Sequence, residues 1–267
     1  MLLIIEALLL ILAALGQDHR AAAGQKYPLD MALNSVDDEY MGCKEKMEKL
    51  VNTKLLKKEL QKSPDFKTAW ENNKAKSPNN NLTKDHTIAI YVYSDATVYK
   101  HFNSDTRRDK DHKHMPYKWY SLHFLLTDAI QILKKTQNQC YSTFRGTNVR
   151  FNEDVLNKEV RFGSFTSSSL DRKVARRFGK VSCFEIHTCE GADVANYSKL
   201  PREKEVLIPP YEKFKVVDVK TKEEQKGLWC ETVFVLESTG TRSDLNCALF
   251  KKPSKTKTMY YILNNVL

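Results

Sequence analysis

The sequence predicts an α+β fold with a helical amino-terminal part and a strand-rich carboxyl-terminal part. Apolar residues recur at helical spacing in much of the first half, whereas the chain after Cys140 breaks into short runs rich in β-branched and aromatic residues. Helices followed by strands, without regular alternation, are typical of this class. Because no stretch of linker composition divides the halves, we expect one domain over residues 25–250.

Three stretches of the first half have the apolar spacing of helices: residues 43–62, a segment that begins after Ser63-Pro64, and residues 117–137. Proline suits the first turn of a helix, which places the start of the second stretch. Residues 86–94 (HTIAIYVYS) are β-branched and aromatic and predict a strand. The charged residues 103–114 predict a mobile surface loop.

The second half predicts several strands and one short helix. The strand-like runs are CYSTFRGT, EVRFGSFTSS, SCFEIHTC, EVLIPPYEKFKVVDV and WCETVFVLES, and the helix covers about residues 170–178. Ser168 or Ser169 is the expected cap of that helix, with Asp171 in its first turn.

Both chain ends have a distinct composition. The first sixteen residues, MLLIIEALLLILAALG, form an apolar run too short for a spanning helix, which needs about 20 residues. We expect a signal peptide over residues 1–20, cleaved between positions 16 and 24. The absence of Lys or Arg before the run, and Glu6 within it, leave an uncleaved anchor as the alternative. Residues 251–267 form a basic tail whose last residues, MYYILNNVL, are too short for a lipid-anchor signal.

Glycine spacing and charge exclude several classes of protein. No two of the nine glycines are closer than eight positions, so neither a G-x-G-x-x-G loop nor a P-loop exists. The net charge of +10 suggests polyanions, but no aromatic-interleaved basic motif supports nucleic-acid binding. The run from Asp109 to His114 is more typical of a solvated loop than of a metal site.

Cysteines and sequons fit an exported protein. The six cysteines are Cys43, Cys140, Cys183, Cys189, Cys230 and Cys247, and their spacing does not choose among 15 pairings. Asn81 and Asn196 each begin a glycosylation sequon.

Three short motifs contain candidate functional residues. In YSTFRGT, Arg145 lies late in an apolar strand before Gly146, which lets a ligand approach the backbone. In FTSSS, Ser167 is one of four hydroxyls, more than a helix cap needs. In EKEVLIPP, strand alternation places Glu203 and Glu205 on one face, where two carboxylates repel. Alone, each motif has a structural explanation: a strand-end salt bridge, a cap and an exposed strand start.

In this order and over this span, the motifs resemble those of R-S-E mono-ADP-ribosyltransferases, specifically the vertebrate ecto-ADP-ribosyltransferases. The resemblance extends over about residues 29–250, through LDMALNSVDDEYMGC, RFGSFTSSSL, EVLIPPYE and LNC. It implies a mixed β-sheet sandwich core with a central cleft that binds NAD as a substrate, without a Rossmann fold and without a metal. It also implies transfer of ADP-ribose from NAD to arginine side chains of proteins, with release of nicotinamide.

The resemblance implies a role for each motif residue. Arg145 would contact the phosphate and ribose region of NAD, the backbone of Gly146 the nicotinamide amide, and Ser167 the nicotinamide ribose. Glu205 would be the catalytic glutamate, because a fixed carboxylate stabilises the oxocarbenium character that develops as the bond to nicotinamide breaks. Glu203 would orient the acceptor guanidinium and accept its proton.

Further residues are expected at the site by position. Tyr93, Phe178 and Ser198 resemble residues that line the NAD site, although core packing explains the two aromatics equally well and a loop hydroxyl explains Ser198. The disulfide pattern of the family suggests Cys43–Cys247 and Cys140–Cys189. The other two cysteines, Cys183 and Cys230, are then either a third bridge or two buried thiols.

The partners follow from the same resemblance. We expect a secreted, extracellular monomer with no stable membrane anchor, which acts on NAD and arginine-containing acceptor proteins and binds no nucleic acid. The alternatives are an NAD glycohydrolase with water as acceptor, and a catalytically silent extracellular binding protein on the same scaffold.

Overall fold

A computed structural model describes residues 26–108 and 117–250. The expected signal peptide, the basic tail and the candidate metal run from Asp109 to His114 lie outside the described residues. No helix within the described ranges combines the length and apolarity needed to cross a membrane.

Helices occupy the first half of the described chain. They are α1 (Lys44–Leu50), α2 (Leu56–Lys62), α3 (Pro64–Glu71), α4 (Lys84–Tyr93), α5 (Ala96–Arg108) and α6 (Tyr120–Gln137). A π-helical turn, Val51–Leu55, joins α1 to α2 into one run. The predicted start of α3 is confirmed, because Ser63 accepts a hydrogen bond from the Phe66 N–H and Pro64 is the first helical residue.

The predicted strand at residues 86–94 is wrong, because Lys84–Tyr93 is helix α4. A capping box fixes its start: the Thr83 hydroxyl accepts from the His86 N–H, and His86 Nδ1 accepts from the Thr83 N–H. The helix is buried over most of its surface. It therefore lacks the polar stripe that would reveal a helical period in the sequence.

The predicted loop at residues 103–114 is wrong over its first part, because α5 continues to Arg108. Of its charged residues, Asp105 and Arg107 are half-buried and Arg108 is exposed, while Phe102, Asn103 and Thr106 are buried. The high content of charged residues therefore led to the prediction of a loop where the chain forms an amphipathic helix.

The second half is a mixed eight-stranded sheet. Its strands are β1 (Tyr141–Thr147), β2 (Glu159–Val160), β3 (Thr166–Ser169), β4 (Ser182–Thr188), β5 (Ala192–Asp193), β6 (Glu205–Ile208), β7 (Glu212–Thr221) and β8 (Thr232–Thr241). Their order is β2-β7-β8-β4-β1-β3-β6-β5. The β4–β8 pair is parallel and the other pairs are antiparallel. The expected α+β class, with a helical amino-terminal part, is confirmed.

The short helix after β3 is α7 (Arg172–Ala175), which continues as a 3-10 turn, Arg176–Phe178. Its cap is Asp171, whose carboxylate accepts from the Lys173 N–H, and not Ser168 or Ser169. The hydroxyl of Ser169 instead accepts from the Asp171 N–H and donates to the Glu203 carbonyl. This serine therefore connects the start of α7 to the segment before β6.

Aromatic side chains join the helical part to the sheet. Phe102 of α5 stacks on Phe165, which immediately precedes β3, with ring centroids 5.5 Å apart. Tyr93 at the end of α4 packs edge-on against both Phe102 and Phe165. Because these rings are buried, they fix where α4 ends relative to β3.

Three disulfides link distant parts of the chain. The two expected bridges, Cys43–Cys247 and Cys140–Cys189, are present. Of the two alternatives for Cys183 and Cys230, the structure has the third bridge. Such bridges fit an extracellular compartment. The sequon residues Asn81 and Asn196 are both exposed.

A buried ion pair also holds the two ends of the described chain together. Arg161 Nη1 lies 2.6 Å from Asp37 Oδ2, and neither side chain is accessible to solvent. The same carboxylate accepts from the backbone N–H groups of Asp244 and Leu245, and Arg161 also donates to the Arg242 carbonyl. Every charge is thus partnered, as a buried pair requires.

Candidate active site

Two neighbouring strands place the first two motifs side by side. Strand β1 carries Arg145 and pairs with β3, which carries Ser167. The Arg145 guanidinium donates a hydrogen bond to the Ser167 carbonyl at 2.7 Å. This hydrogen bond holds the Arg145 guanidinium at the edge of the pocket described below.

Gly146 lies where no side chain fits. A Cβ atom built at this position would be 2.5 Å from the Ala175 carbonyl oxygen and 2.6 Å from that of Gly179. Both are backbone atoms and cannot swing aside. The glycine therefore lets α7 and the turn after it approach β1, and this close approach forms one wall of the pocket.

The third motif reaches the same place through β6. Strand β6 pairs with β3, and Glu205 at its start lies opposite Ser169. The Glu205 side chain is buried, and burial raises the pKa of its carboxyl group. Hydrogen bonds from Ser167 and Ser198, and the positive charge of Arg145, oppose that increase in pKa. This carboxylate is accordingly held by two hydroxyls in a site of low solvation.

The prediction that Glu203 and Glu205 alternate on one strand is wrong. Glu203 ends a 3-10 turn, Pro201–Glu203, and Lys204 adopts a left-handed conformation with φ of +49°. Strand geometry begins only at Glu205. Lys204 does point away from the two carboxylates, and it forms an ion pair with Asp171 at 3.3 Å.

The two carboxylates are nevertheless close enough to interact electrostatically. Burial, and then the charge of Glu205, raise the pKa of Glu203 to about 7, and Arg177 opposes this increase. A glutamate with this pKa titrates in the neutral range, where a general base is most effective.

Residues of all three motifs line the same pocket. Its walls are formed by Phe144, Arg145, Gly146, Ser167, Ser168, Ser169, Ala175, Phe178, Glu203 and Glu205. It contains about 380 Å³ of space, open solvent at its mouth included. Of the eight site residues predicted from the sequence, six line this pocket.

The other two predicted residues lie behind the wall. The Tyr93 hydroxyl donates to the Phe165 carbonyl at 3.0 Å, and its ring is part of the aromatic core. Tyr93 also hydrogen bonds to the Ser167 side chain. Ser198 contacts Glu205 and accepts a hydrogen bond from the Leu200 N–H. Both residues hold pocket residues in place from outside the pocket.

Some contributors were not identified from the sequence. Phe144 and Ala175 line the pocket, and the exposed Arg177 influences Glu203 from the 3-10 turn after α7. Phe144 immediately precedes Arg145 in the first motif, so the motif itself indicates that Phe144 lies near the site. Nothing in the sequence distinguishes Arg177 as a site residue, because several basic residues surround it.

One group among residues 26–108 and 117–250 has the spacing of metal ligands, namely Cys140, His187 and Cys189. The two cysteines are bonded to each other. Their thiolates are therefore occupied, and this group is a disulfide with a neighbouring histidine.

Comparison with known proteins identifies the family. The family model for NAD:arginine ADP-ribosyltransferase matches residues 29–232. The chain is 34% identical to human "Ecto-ADP-ribosyltransferase 4" over 247 residues, covering 86% of this chain and 76% of the relative. It is 35% identical to "NAD(P)(+)--arginine ADP-ribosyltransferase 2" of chicken over 237 residues, covering 84% and 73%.

The fold is similar to that of a solved relative. The crystal structure of the eukaryotic mono-ADP-ribosyltransferase ART2.2 superposes with a TM-score of 0.70 at 32% identity, covering 84% of this chain and 99% of that one. A mutant of the same enzyme was crystallised in complex with NAD. The sequence motifs, the fold and these matches agree, and the chain belongs to the NAD:arginine ADP-ribosyltransferase family.

Proposed function

We propose that the pocket around Arg145, Ser167 and Glu205 binds NAD and breaks its bond to nicotinamide, and that Glu203 directs the ADP-ribose to arginine side chains of proteins. The observation that carries this assignment is the convergence of three separate strands on one pocket. Without that convergence, the motifs would remain a resemblance in sequence.

The proposed cleavage step uses Glu205. The bond between ribose C1′ and the nicotinamide nitrogen breaks, and its electron pair leaves with nicotinamide. Positive charge then develops on the ribose, and a carboxylate already fixed by two hydroxyls stabilises that charge without reorganising. Ser167 has a double role here, because it holds Glu205 and its backbone carbonyl holds Arg145.

The proposed transfer step uses Glu203. A guanidinium is fully protonated in water and is a poor nucleophile. Glu203 lies in the pocket wall and is partly exposed, so an acceptor arginine reaches it from the mouth. As a guanidinium nitrogen bonds to C1′, its proton passes to the Glu203 carboxylate.

The proposed setting is extracellular. The three disulfides fit an oxidising compartment, and the human relative is named as an ecto-enzyme. Within that setting we propose a secreted monomer without a stable membrane anchor, with one catalytic domain over residues 25–250.

The test is incubation of the purified chain with NAD labelled in its ADP-ribose, with and without agmatine as a soluble arginine analogue. We expect labelled ADP-ribosyl-agmatine as the main product, and loss of product in a Glu205→Ala variant. Lys204→Gln is the matched control, since Lys204 points away from the pocket. Free ADP-ribose as the main product, in the presence of saturating agmatine, would instead identify a glycohydrolase.

A further inference from the structure

The run from α1 to α2 presents an unusual excess of lysine to solvent. Residues 44–62 contain seven lysines and three glutamates. One of those glutamates, Glu59, is buried, where it accepts from the Ser121 N–H at the start of α6. We use "lysine face" for the exposed and half-exposed lysines Lys46, Lys49, Lys54, Lys57, Lys58 and Lys62.

Three lysines of this face are neighbours in space. Lys54, Lys58 and Lys62 are four residues apart, which places them along one side of a helix. Partial desolvation, and then the like charges of Lys62 and Lys54, lower the pKa of Lys58. Helix C-termini favour cations, but that preference covers only the last turn and explains neither Lys46 nor Lys57.

Few anions neutralise the face. Within the described part of the chain, Lys46, Lys49, Lys57 and Lys62 form no ion pair, whereas Lys44 at the start of the run contacts Asp128. The run is about 28 Å long at 1.5 Å per residue. Cations distributed along a run of this length match a linear polymer of anions.

The end of the described chain is bonded beside the same helix. Cys43, immediately before α1, is bonded to Cys247. After Phe250 the sequence continues as KKPSKTK, which contains four lysines. The disulfide therefore holds Cys247 next to the first turn of the lysine-rich run.

We propose that the lysine face binds a sulfated glycosaminoglycan. The disulfides fit an extracellular compartment, and sulfated polysaccharides are linear polyanions of that compartment. Anionic lipids are concentrated in the cytoplasmic leaflet, which favours a polysaccharide over a membrane surface. Such binding retains a secreted chain at the cell surface without a lipid anchor.

The test compares two triple variants that remove the same charge. Lys57→Gln/Lys58→Gln/Lys62→Gln alters the lysine face, and Lys84→Gln/Lys135→Gln/Lys226→Gln removes three exposed lysines from other elements. Binding of the full chain to immobilised heparin is measured from 0.05 to about 0.5 M salt. The lysine-face variant is expected to bind at least about tenfold more weakly near 0.15 M salt, with a salt slope reduced by about 2, as for loss of three contacts to a polyanion.

The outcomes separate the explanations. Equal weakening in both triple variants would show that binding follows net charge and would overturn the proposal, as would failure of the parent chain to bind heparin near 0.15 M salt. Stronger binding to phosphatidylserine vesicles than to heparin would assign the face to membranes instead. A Lys46→Gln/Lys49→Gln variant repeats the test if the first variant folds poorly, and agmatine transfer in every variant reports on folding separately from heparin binding.

Discussion

Replacement of Glu203 by glutamine separates the two proposed chemical steps. The substitution keeps the shape of the side chain and removes its ability to accept a proton. Transfer to agmatine is expected to fall by about 10²–10⁴-fold, the usual contribution of a general base. NAD cleavage to free ADP-ribose is expected to persist, because Glu205, Ser167 and Arg145 are unchanged.

The pH profile of the parent chain provides an independent measure. Only the ionised form of Glu203 accepts a proton, and its pKa is raised to about 7 by burial and by the charge of Glu205. The ionised fraction rises about tenfold between pH 6 and pH 8 for a single group of this pKa. The rate of agmatine transfer is expected to rise by the same factor, while NAD hydrolysis without agmatine is expected to change less.

The Glu203→Gln substitution also has a stability consequence of known sign. A carboxyl whose pKa is higher in the folded state keeps its proton there after the unfolded chain has lost it. The free energy of unfolding therefore decreases as pH rises from about 4.5 to 7. We expect the glutamine variant to be more stable than the parent at pH 8, by about 1–3 kcal/mol after allowing for partial solvent screening.

The assay is steady-state product analysis by chromatography from pH 5.5 to 8.5, with chemical denaturation at pH 5 and pH 8. If transfer and cleavage decline together in Glu203→Gln, then Glu203 acts on the first step as well, and the division of roles is wrong. A transfer rate that is flat between pH 6 and pH 8 would refute the assigned proton acceptor.

Three further substitutions test the structure of the site and its support. Gly146→Ala is expected to lower NAD cleavage by about 10²-fold, because its Cβ would displace the backbone at Ala175 and Gly179; an unchanged rate of NAD cleavage would contradict this close approach. Asp37→Ala is expected to destabilise the chain by about 3–5 kcal/mol, since it leaves Arg161 buried and unpaired; the denaturant midpoint measures this, with Asp154→Ala as an exposed control. Burial raises the pKa of Glu59 to about 8, so the parent is expected to lose up to about 5 kcal/mol of stability between pH 4.5 and pH 8 from this group. Glu59→Gln should reduce that decline, and identical pH dependence in both proteins would show that Glu59 is not protonated in the folded state.

Sequence patterns located the site better than they located the secondary structure around it. Arg145, Ser167 and Glu205 lie on short strands whose alternation is visible in the sequence, and the strands bring them together. The predicted alternation of Glu203 and Glu205 along one strand is wrong, because Lys204 between them adopts a left-handed conformation. Left-handed lysine has no sequence signal, since glycine and asparagine are the residues that favour this conformation.

The helical part was harder to predict for a different reason. Helix α4 is buried on nearly all sides, and a fully buried helix and a buried strand have the same apolar composition over ten residues. Its true signal was the capping pair of Thr83 and His86, in which histidine replaces the usual glutamate or glutamine. Tyr93 was assigned to the pocket by position, and only packing against Phe165 shows that it supports the wall from behind.

The Cys43–Cys247 bridge affects how the chain must mature. Its partners are 204 residues apart, so at about 5–20 residues per second the ribosome needs about 10–40 s to deliver the second thiol after the first. Four other cysteines emerge during that interval and compete for Cys43. Native pairing therefore depends on thiol–disulfide exchange, which proceeds in seconds to hours without an isomerase. Oxidative refolding is expected to pass through mispaired species, with the yield set by how quickly early errors are reshuffled.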